Sequence, residues 1–384
     1  MRVAVIGAGL TGSAFARWLS VSRRALGLPV EITLFDKARR PGGRASSHAS
    51  PREMPWEADL GVSALNLSES EILFGDTRDL SAGDRLVRRQ LLTWIRQSEL
   101  IPVGNETFDR ASLESQLVHT GYWVTPRGFG RLVDQITATT PQVTRRLSHH
   151  VNALQLHRDE RSITPLITWS VSGQVSPHKS LFSEEGFDLL VVTAPPPQSA
   201  ALLATAAPSV AEMLAQRQLY PQWVMRIRGE LSWLSAPLLD PESDVIARVS
   251  DEGWKRGVVQ PQSSALYCVQ ARADWSRDHL ECSPEEVSAI LRQALVDVGH
   301  QYDAQARTEY SVERIHRWRY SGADSVNTET SLADMDLTRR LGVCGDSYCS
   351  GGGVGALRSA AQLLTLVCDR FGGDVDAVSD VDHA

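Results

Sequence analysis

Cysteine is scarce in this chain, with five among 384 residues: Cys268, Cys282, Cys344, Cys349 and Cys368. The number is odd and no C-x-x-C pair occurs. This argues against a disulfide framework and a structural zinc site, and fits a reducing compartment. The ten histidines fall at no metal-ligand spacing, and the neighbours His149 and His150 project to opposite sides of a strand. H-E-x-x-H, G-x-S-x-G and P-loop patterns are missing, which removes the corresponding metalloprotease, hydrolase and nucleotide-hydrolase readings. No run is both long and apolar enough to span a bilayer. No signal-peptide pattern precedes the apolar run at Val3, so the expectation is a cytoplasmic protein without a membrane partner. A basic excess is lacking too. The formal net charge is −7, whereas binders of nucleic acid polymers usually carry a basic face. There is no internal repeat and no long low-complexity segment.

What is present is ample chain and 42% hydrophobic residues, enough for two or three domains. "RVAVIGAGLTGSAFARWLS" reads as strand, turn and helix. Arg2 to Ile6 is a short apolar run of the buried parallel type. Gly7, Gly9 and Gly12 form G-x-G-x-x-G: the first glycine permits the turn, the second admits a pyrophosphate, and the third brings helix to strand. Phe15, Trp18 and Leu19 recur at helical spacing and face the sheet. The helix start directs unpaired N–H groups at phosphate. A second strand, "VEITLFDK", ends in Asp36, a carboxylate placed to accept from a ribose diol and unfavourable to a 2′-phosphate there. The gap from Gly12 is longer than usual, with "SRRALGLP" as a loop extension.

"ARRPGGRASS", residues 38 to 47, follows the acid, where a further helix normally begins. Gly42 and Gly43 let the backbone run along a dinucleotide, and Arg44 supplies a guanidinium able to grip phosphate oxygens in pairs. Asp59-Leu60-Gly61 suggests another close backbone approach. Near the other end, Val343-Cys344-Gly345-Asp346 reads as a strand ending in an acid. A glycine run from Gly351 then opens the helix "VGALRSAAQLLTLV". In between, "DRLVRRQLLTWIRQSEL" reads as a helix with Leu86, Leu91, Leu92 and Ile95 on one face, expected to cover the site. "QWVMRIRGEL" and "SALYCVQARADW" read as strands, the first with one wet face. Trp223, Trp275, Trp318 and Tyr320 are candidates for a flat aromatic pocket, and Arg319 for a charged substrate group; core packing and a surface salt bridge are their plainer fates.

Several segments in order carry a resemblance to a known family: Gly7–Gly12, "FDKARRPGGRASS", "ADLGVS", "YWVTPRGFGRLVDQI", "HHVNALQL", "FDLLVVTAPPPQSAALL", "IHRWRYS" and "GVCGDSYCSGGGVGALRSAAQLL". Together they resemble the flavin amine oxidase superfamily and, within it, the renalases. The resemblance implies an α/β fold: a discontinuous Rossmann-type FAD-binding domain (1–62, 122–195 and 340–384) with an inserted α+β substrate domain on a mixed sheet (63–121 and 196–339). It implies FAD, without a covalent link, contacted by Gly7, Ala8, Gly9, Leu10, Thr11, Gly12, Asp36, Lys37, Gly43, Arg44, Gly61, Val62 and Val151. At the far end the implied contacts are Gly345, Asp346 (from the ribityl chain), Gly353, Val354 and Ala356. Cys349 lies where some relatives attach the flavin; a small buried side chain is the plainer reading. The C-terminal helix would stabilise charge on the reduced pyrimidine ring. The chain departs from the pattern at Val62-Ser63-Ala64-Leu65, which lacks the usual aromatic residue. Residues 172 to 186 look like an inserted polar hairpin tip.

The implied activity is oxidation of dihydronicotinamide isomers, off-pathway forms of NAD(P)H, with hydride passing to flavin N5 and O2 reoxidising the flavin to give H2O2. No catalytic acid or base stands out, and no metal is expected. Three alternatives stay open: an amine oxidase or desaturase on the same scaffold, an NAD-dependent dehydrogenase, and a non-catalytic FAD- or nucleotide-binding protein.

Overall fold

Val3 and Val5 belong to one hydrophobic core and Ala4 and Ile6 to another, which is why the first strand is apolar throughout. It lies inside a six-stranded sheet, and both faces of a central parallel strand are covered. The computed structural model describes residues 1–22, 26–49, 54, 56–67, 71–74, 76–104, 121–159, 166–261, 264–323, 331–349, 351–373 and 375. Parts of the expected loop extension after Gly12 and of the segment 63–121 lie outside the described residues.

The strand order in that sheet is Ala333–Asp336, Leu341–Cys344, Leu189–Val192, Arg2–Ile6, Glu31–Phe35 and Val143–Arg146. All neighbours are parallel except the edge strand Ala333–Asp336, which runs antiparallel. This edge strand lies upstream of residue 340, the expected start of the last cofactor-domain segment. One face of the sheet carries the first helix, Leu10–Val21, and the C-terminal helix, Gly352–Phe371, which pack on each other. Phe15, Trp18 and Leu19 are fully buried there. The other face carries an antiparallel sheet of His149–Asp159, Leu166–Val175 and Ser180–Phe187. The hairpin at 172–186 is the outer part of that layer, and its Phe182 ring stacks on Phe35 at 5.8 Å.

The helix Ala82–Arg96 does not cover the site. Leu86, Leu91 and Ile95 are buried in the same core as the C-terminal helix, whereas Leu92 is only partly buried. Asp84 accepts from Arg358 of the C-terminal helix at 2.9 Å. Its apolar face is spent on that helix, and none of its residues lines the cavity described below.

A second, antiparallel sheet has the order Leu238–Leu239, Ile246–Asp251, Ala265–Ala271, Leu219–Leu231 and Thr308–Ala323. Helix Pro284–Tyr302 covers one face through Val287, Leu291, Leu295 and Val298. Its start is a capping box, Ser283 with Glu286. The strand expected to have a wet face is buried almost throughout. Its second face is roofed by Trp56, Ala58 and Leu60 from the N-terminal segment, and its inward Arg226 and Arg228 both pair with Glu313.

A buried charge network fastens that roof. Asp59 accepts from Lys255 at 3.1 Å, from Ser47 at 2.6 Å, from the Phe129 N–H at 2.9 Å and from Arg256. Glu252 pairs with Lys255 at 2.8 Å and Arg256 at 3.1 Å. Burial alone would raise the Asp59 carboxyl, but the Lys255 and Arg256 cations outweigh it and hold the group below its ordinary value. Removing one member of such a group strands the opposite charge in a low dielectric, at a cost of about 3–5 kcal/mol. Lys255→Met is expected to lower unfolding stability by about that amount, read as a large drop in the urea midpoint with an unchanged slope.

Candidate cofactor and substrate site

Ile6, Phe35, Thr193 and Asp346 lie at the carboxyl ends of parallel strands and open on one cavity of about 1720 Å³ that reaches across to the second sheet. Ligands of open α/β sheets bind in this position. The floor is set by backbone contacts. A Cβ on Gly12 would sit 2.0 Å from the Gly7 carbonyl oxygen, so only glycine lets the helix approach. The 38–47 loop docks on that turn: Gly42 N–H donates to the Ala8 carbonyl at 2.8 Å, and Gly9 and Gly42 form an isolated parallel bridge. Gly61 presses on the loop from the far side, where a Cβ would collide with the Arg44 carbonyl.

The helix starts are not treated alike. Ser81 and Ser283 cap helices whose starts lie away from the cavity. At the helix Phe129–Ala138 the cap comes from a distance, with Phe129 N–H donating to Asp59 and Gly130 N–H to Ser47. The first helix and the C-terminal helix instead begin at Gly9 and Gly351, with no side-chain cap. Both starts open on the cavity, through Gly9, Leu10 and Thr11 at one and Gly352, Gly353 and Ala356 at the other. Uncapped first-turn N–H groups and the positive end of each helix dipole thus face the same space.

Asp36 accepts one N–H on each oxygen, from Ala8 and Ala38, both at 2.7 Å. Burial raises its carboxyl above the ordinary value, and these bonds oppose the rise. Arg44 does not stand free for a phosphate. It makes a two-bond ion pair with Asp346, one bond at 2.9 Å, and also donates to the Ser321 carbonyl at 3.3 Å. Asp346, expected to face a ribityl chain, is therefore shared with Arg44.

Gly7, Lys37, Gly43, Gly61, Val62 and Val151 line the cavity as well. Four of the expected contacts do not. Ala8 is buried and acts through its N–H, and Gly12 is taken up by packing. Gly345 donates to Ser359 at 2.8 Å, and Val354 packs against the sheet-and-helix core. Cys349 is buried with its thiol donating to the Gly355 carbonyl at 3.4 Å, and burial pushes it up to about 11. It is not among the lining residues.

At the second sheet, Trp318 and Tyr320 line the cavity and Trp223 does not. Trp223 fills the core under helix Pro284–Tyr302 and donates to the His279 carbonyl at 3.0 Å. Trp275 is stacked on His279 at 4.1 Å. Arg319 reaches the rim, but its guanidinium is held by Glu281 at 2.7 and 2.9 Å in an exposed pair. The Trp318 ring lies beside Gly61, and its N–H donates to the Leu60 carbonyl at 2.8 Å.

Sequence reasoning missed Gln222, Gln270, His48, Arg314 and His316, all of which line the cavity. One signal was available: Arg314, His316, Trp318 and Tyr320 alternate at the period of a strand face. Burial lowers His316 to about 4, with Arg314 adding to the effect. His48 is also lowered to about 4, by burial first and then by Arg314, His316, Arg226 and Arg40. Both imidazoles are neutral at pH 7. Each lining carboxylate already has partners: Asp36 two amides, Glu57 Arg40 and Arg131, Asp134 Arg145, and Asp346 Arg44.

Between the ordinary histidine value of 6.5 and about 4, the unfolded chain takes up protons at His48 and His316 that the folded chain refuses. The stability of the neutral forms is therefore fully present above that window and lost as pH falls through it. The melting temperature is expected to fall steadily from pH 6.5 to 4. His316→Asn should flatten the decline in a circular-dichroism melt series, and an unchanged slope would place the titration elsewhere.

Residues 5–77 match the family model of an NAD(P)-binding Rossmann-like domain. Over 95% of its length the chain is 22% identical to renalase from Mus musculus, of which it covers 98%. Among solved structures, cyclohexylamine oxidase from Brevibacterium oxydans superposes with a TM-score of 0.56 at 13% identity, with 97% of this chain and 99% of that one covered. An oxidoreductase from Methanosarcina mazei gives 0.53 at 13% identity, covering 96% and 100%. These structural likenesses speak for the fold. The chain is thus similar to renalase along nearly its whole length, and it shares the fold of cyclohexylamine oxidase.

Proposed function

We propose that this protein is an FAD-dependent oxidase of renalase type, acting on dihydronicotinamide isomers, the off-pathway forms of NAD(P)H, and yielding H2O2 from O2. The observation that carries the reading is the convergence of two glycine-started helix ends, Asp36 and the Arg44–Asp346 pair on one elongated cavity. Residues 1–62, 122–195 and 340–384 would form the cofactor unit, and 63–121 and 196–339 the substrate unit, the edge strand Ala333–Asp336 apart. Five free cysteines support a cytoplasmic setting, and among the described residues no helix is long and apolar enough to cross a membrane.

The residues fit FAD without a covalent link. The cavity is large enough for an extended dinucleotide, and glycines stand where the backbone must come close. Asp36 would take the adenosine ribose hydroxyls on lone pairs left over from its two amides, with Val151 beside the base. The first-turn N–H groups of Leu10 and Thr11 would take the diphosphate, together with Arg44, which keeps donors beyond the three bonds described. Gly353, Ala356 and Gly61–Val62 would border the ring system, with the C-terminal helix start favouring negative charge on it. When bound, FAD supplies a hydride acceptor that O2 can reoxidise. The Trp318 and Tyr320 rings then give a planar substrate a wall, and the roof of Trp56, Ala58 and Leu60 shuts water out behind them.

Electrostatics favours a dihydronicotinamide over an amine. A cationic amine would meet no carboxylate without a partner among the described lining residues, and would share the cavity with several arginines. An electron-rich dihydronicotinamide ring needs no base to give up a hydride.

The purified protein is expected to show a flavin absorbance band. In anaerobic stopped flow, dihydronicotinamide isomers should bleach that band and simple amines should not. Bleaching by amines alone would move the protein to the amine-oxidase alternative, and a flavin that no substrate reduces would make it a binding protein. Arg44→Ala removes charge-assisted bonds of about 1.5–3 kcal/mol, so it should weaken flavin retention about ten- to a hundredfold, measured as colour lost on dialysis.

A further inference from the structure

The long strand Thr308–Ala323 turns Arg314, His316, Trp318 and Tyr320 into the same cavity. At about 3.3 Å per residue, Arg314 lies roughly 13 Å along the strand from Trp318. Trp318 stands beside Gly61 at the cofactor loop, and the strand next to Tyr320 touches Arg44 through the Ser321 carbonyl. The ladder therefore runs from aromatic rings at the cofactor end to a cation further out.

That outer end has an unusual composition. Arg40, Arg44, Arg131, Arg145, Arg317 and Arg319 all have carboxylate partners. Arg314 has none among the described residues, and its guanidinium lies 3.4 Å from His48 Nδ1. Arg39, the other lining arginine without a carboxylate partner among the described residues, lies three residues from Asp36. His316 completes the outer group, its ring 6.3 Å from that of His48 and set edge-on to Trp318 at 4.3 Å. Arg226, near the same corner, is already bound to Glu313 and to the His48 carbonyl. An accessible guanidinium beside two neutral imidazoles offers a fork of charged donors and two further N–H groups without asking a ligand to displace a carboxylate. Phosphate oxygens match that set.

We propose that Arg314, with His48 and His316, binds the phosphate of the substrate nucleotide while its dihydronicotinamide ring lies against Trp318 and Tyr320. The preferred substrates are then phosphorylated nucleotides, not the free nucleoside or base. This subsite rests on the dihydronicotinamide reading above for the ring, but its anion chemistry can be measured separately.

The test uses flavin-loaded protein, in which the cofactor's own phosphate site is filled. Anaerobic flavin reduction is measured with one dihydronicotinamide isomer as its mononucleotide and as its dephosphorylated nucleoside. The wild type should favour the mononucleotide by about ten- to a hundredfold in apparent affinity, the size of a charge-assisted contact. Arg314→Ala should bring that ratio close to one, and Arg314→Lys should recover some of it. A calorimetric titration with ADP-ribose, which carries a diphosphate and no reducible ring, should show binding that weakens by a similar factor in Arg314→Ala. Binding of ADP-ribose that depends on Arg314, with no flavin reduction by any dihydronicotinamide, would uphold the anion subsite and sink the oxidase reading. Flavin reduction with a nucleotide-to-nucleoside ratio near one in the wild type, or unchanged in Arg314→Ala, would overturn the subsite and leave the oxidase reading standing.

Discussion

The ion pair between Arg44 and Asp346 is the constraint on which the site depends. The two residues are 302 positions apart in sequence, and each closes one side of the cavity. Arg44 is tied in three further ways. Its carbonyl accepts from Val62 at 3.2 Å, its guanidinium donates to Ser321 on the second sheet, and two residues earlier Gly42 is bound to Ala8. One residue thus fixes the glycine turn, the Gly61 segment, the outer strand and the C-terminal helix start relative to one another. Bringing such charges out of water costs several kcal/mol per ion, so a partly buried pair is a poor source of stability. Its contribution is positional, because the paired geometry leaves the guanidinium only a narrow range of directions.

The buried network of Asp59, Glu252, Lys255 and Arg256 has a similar positional role in the adjoining layer. It locks the roof of Trp56, Ala58 and Leu60 onto the second sheet, and Lys255 donates to the Ser63 carbonyl at 3.0 Å. The segment from Asp59 to Ser63 is therefore held at both ends, with Gly61 and Val62 facing the cavity in its middle. Backbone that must lie flat against a ligand cannot rely on side chains for its rigidity, and this arrangement supplies the rigidity from behind.

Local features of this fold were legible in the sequence. The strand, glycine turn, helix and Asp36 are contiguous, and so are Cys344 to Ala356, so their physics is written within a few residues. The features that were not legible depend on parity and on distance. Trp223 and Trp318 look alike as aromatic residues on strands. Gln222 stands opposite Trp318 and Trp223 opposite Arg317, so the two indoles point to opposite faces, one to the cavity and one to the core. Trp223 and Trp318 differ in face because of how the two strands pair, and no pattern in either strand announces that register. The wet face expected at 222–231 is covered instead, because its roof comes from residues 56 to 60, far away in the chain. Arg44 reads as a free cation in the sequence because its partner lies near the other terminus.

Net charge misleads about this molecule for a related reason. The chain is acidic overall, yet its cavity collects arginines whose carboxylate partners cancel them one by one. What a ligand senses is the remainder, because paired charges a few ångströms apart have short-ranged fields while an unpaired guanidinium does not. The two ends of the cavity then differ in kind. The end at the glycine turn is made mainly of backbone N–H groups and glycine contacts, which a single side-chain change cannot redirect, together with one shared ion pair. The other end is one face of one strand, where each alternate residue presents a separate side chain. On the proposed reading, selectivity would be concentrated where substitution is structurally cheap, and the cofactor would be held where substitution moves the backbone.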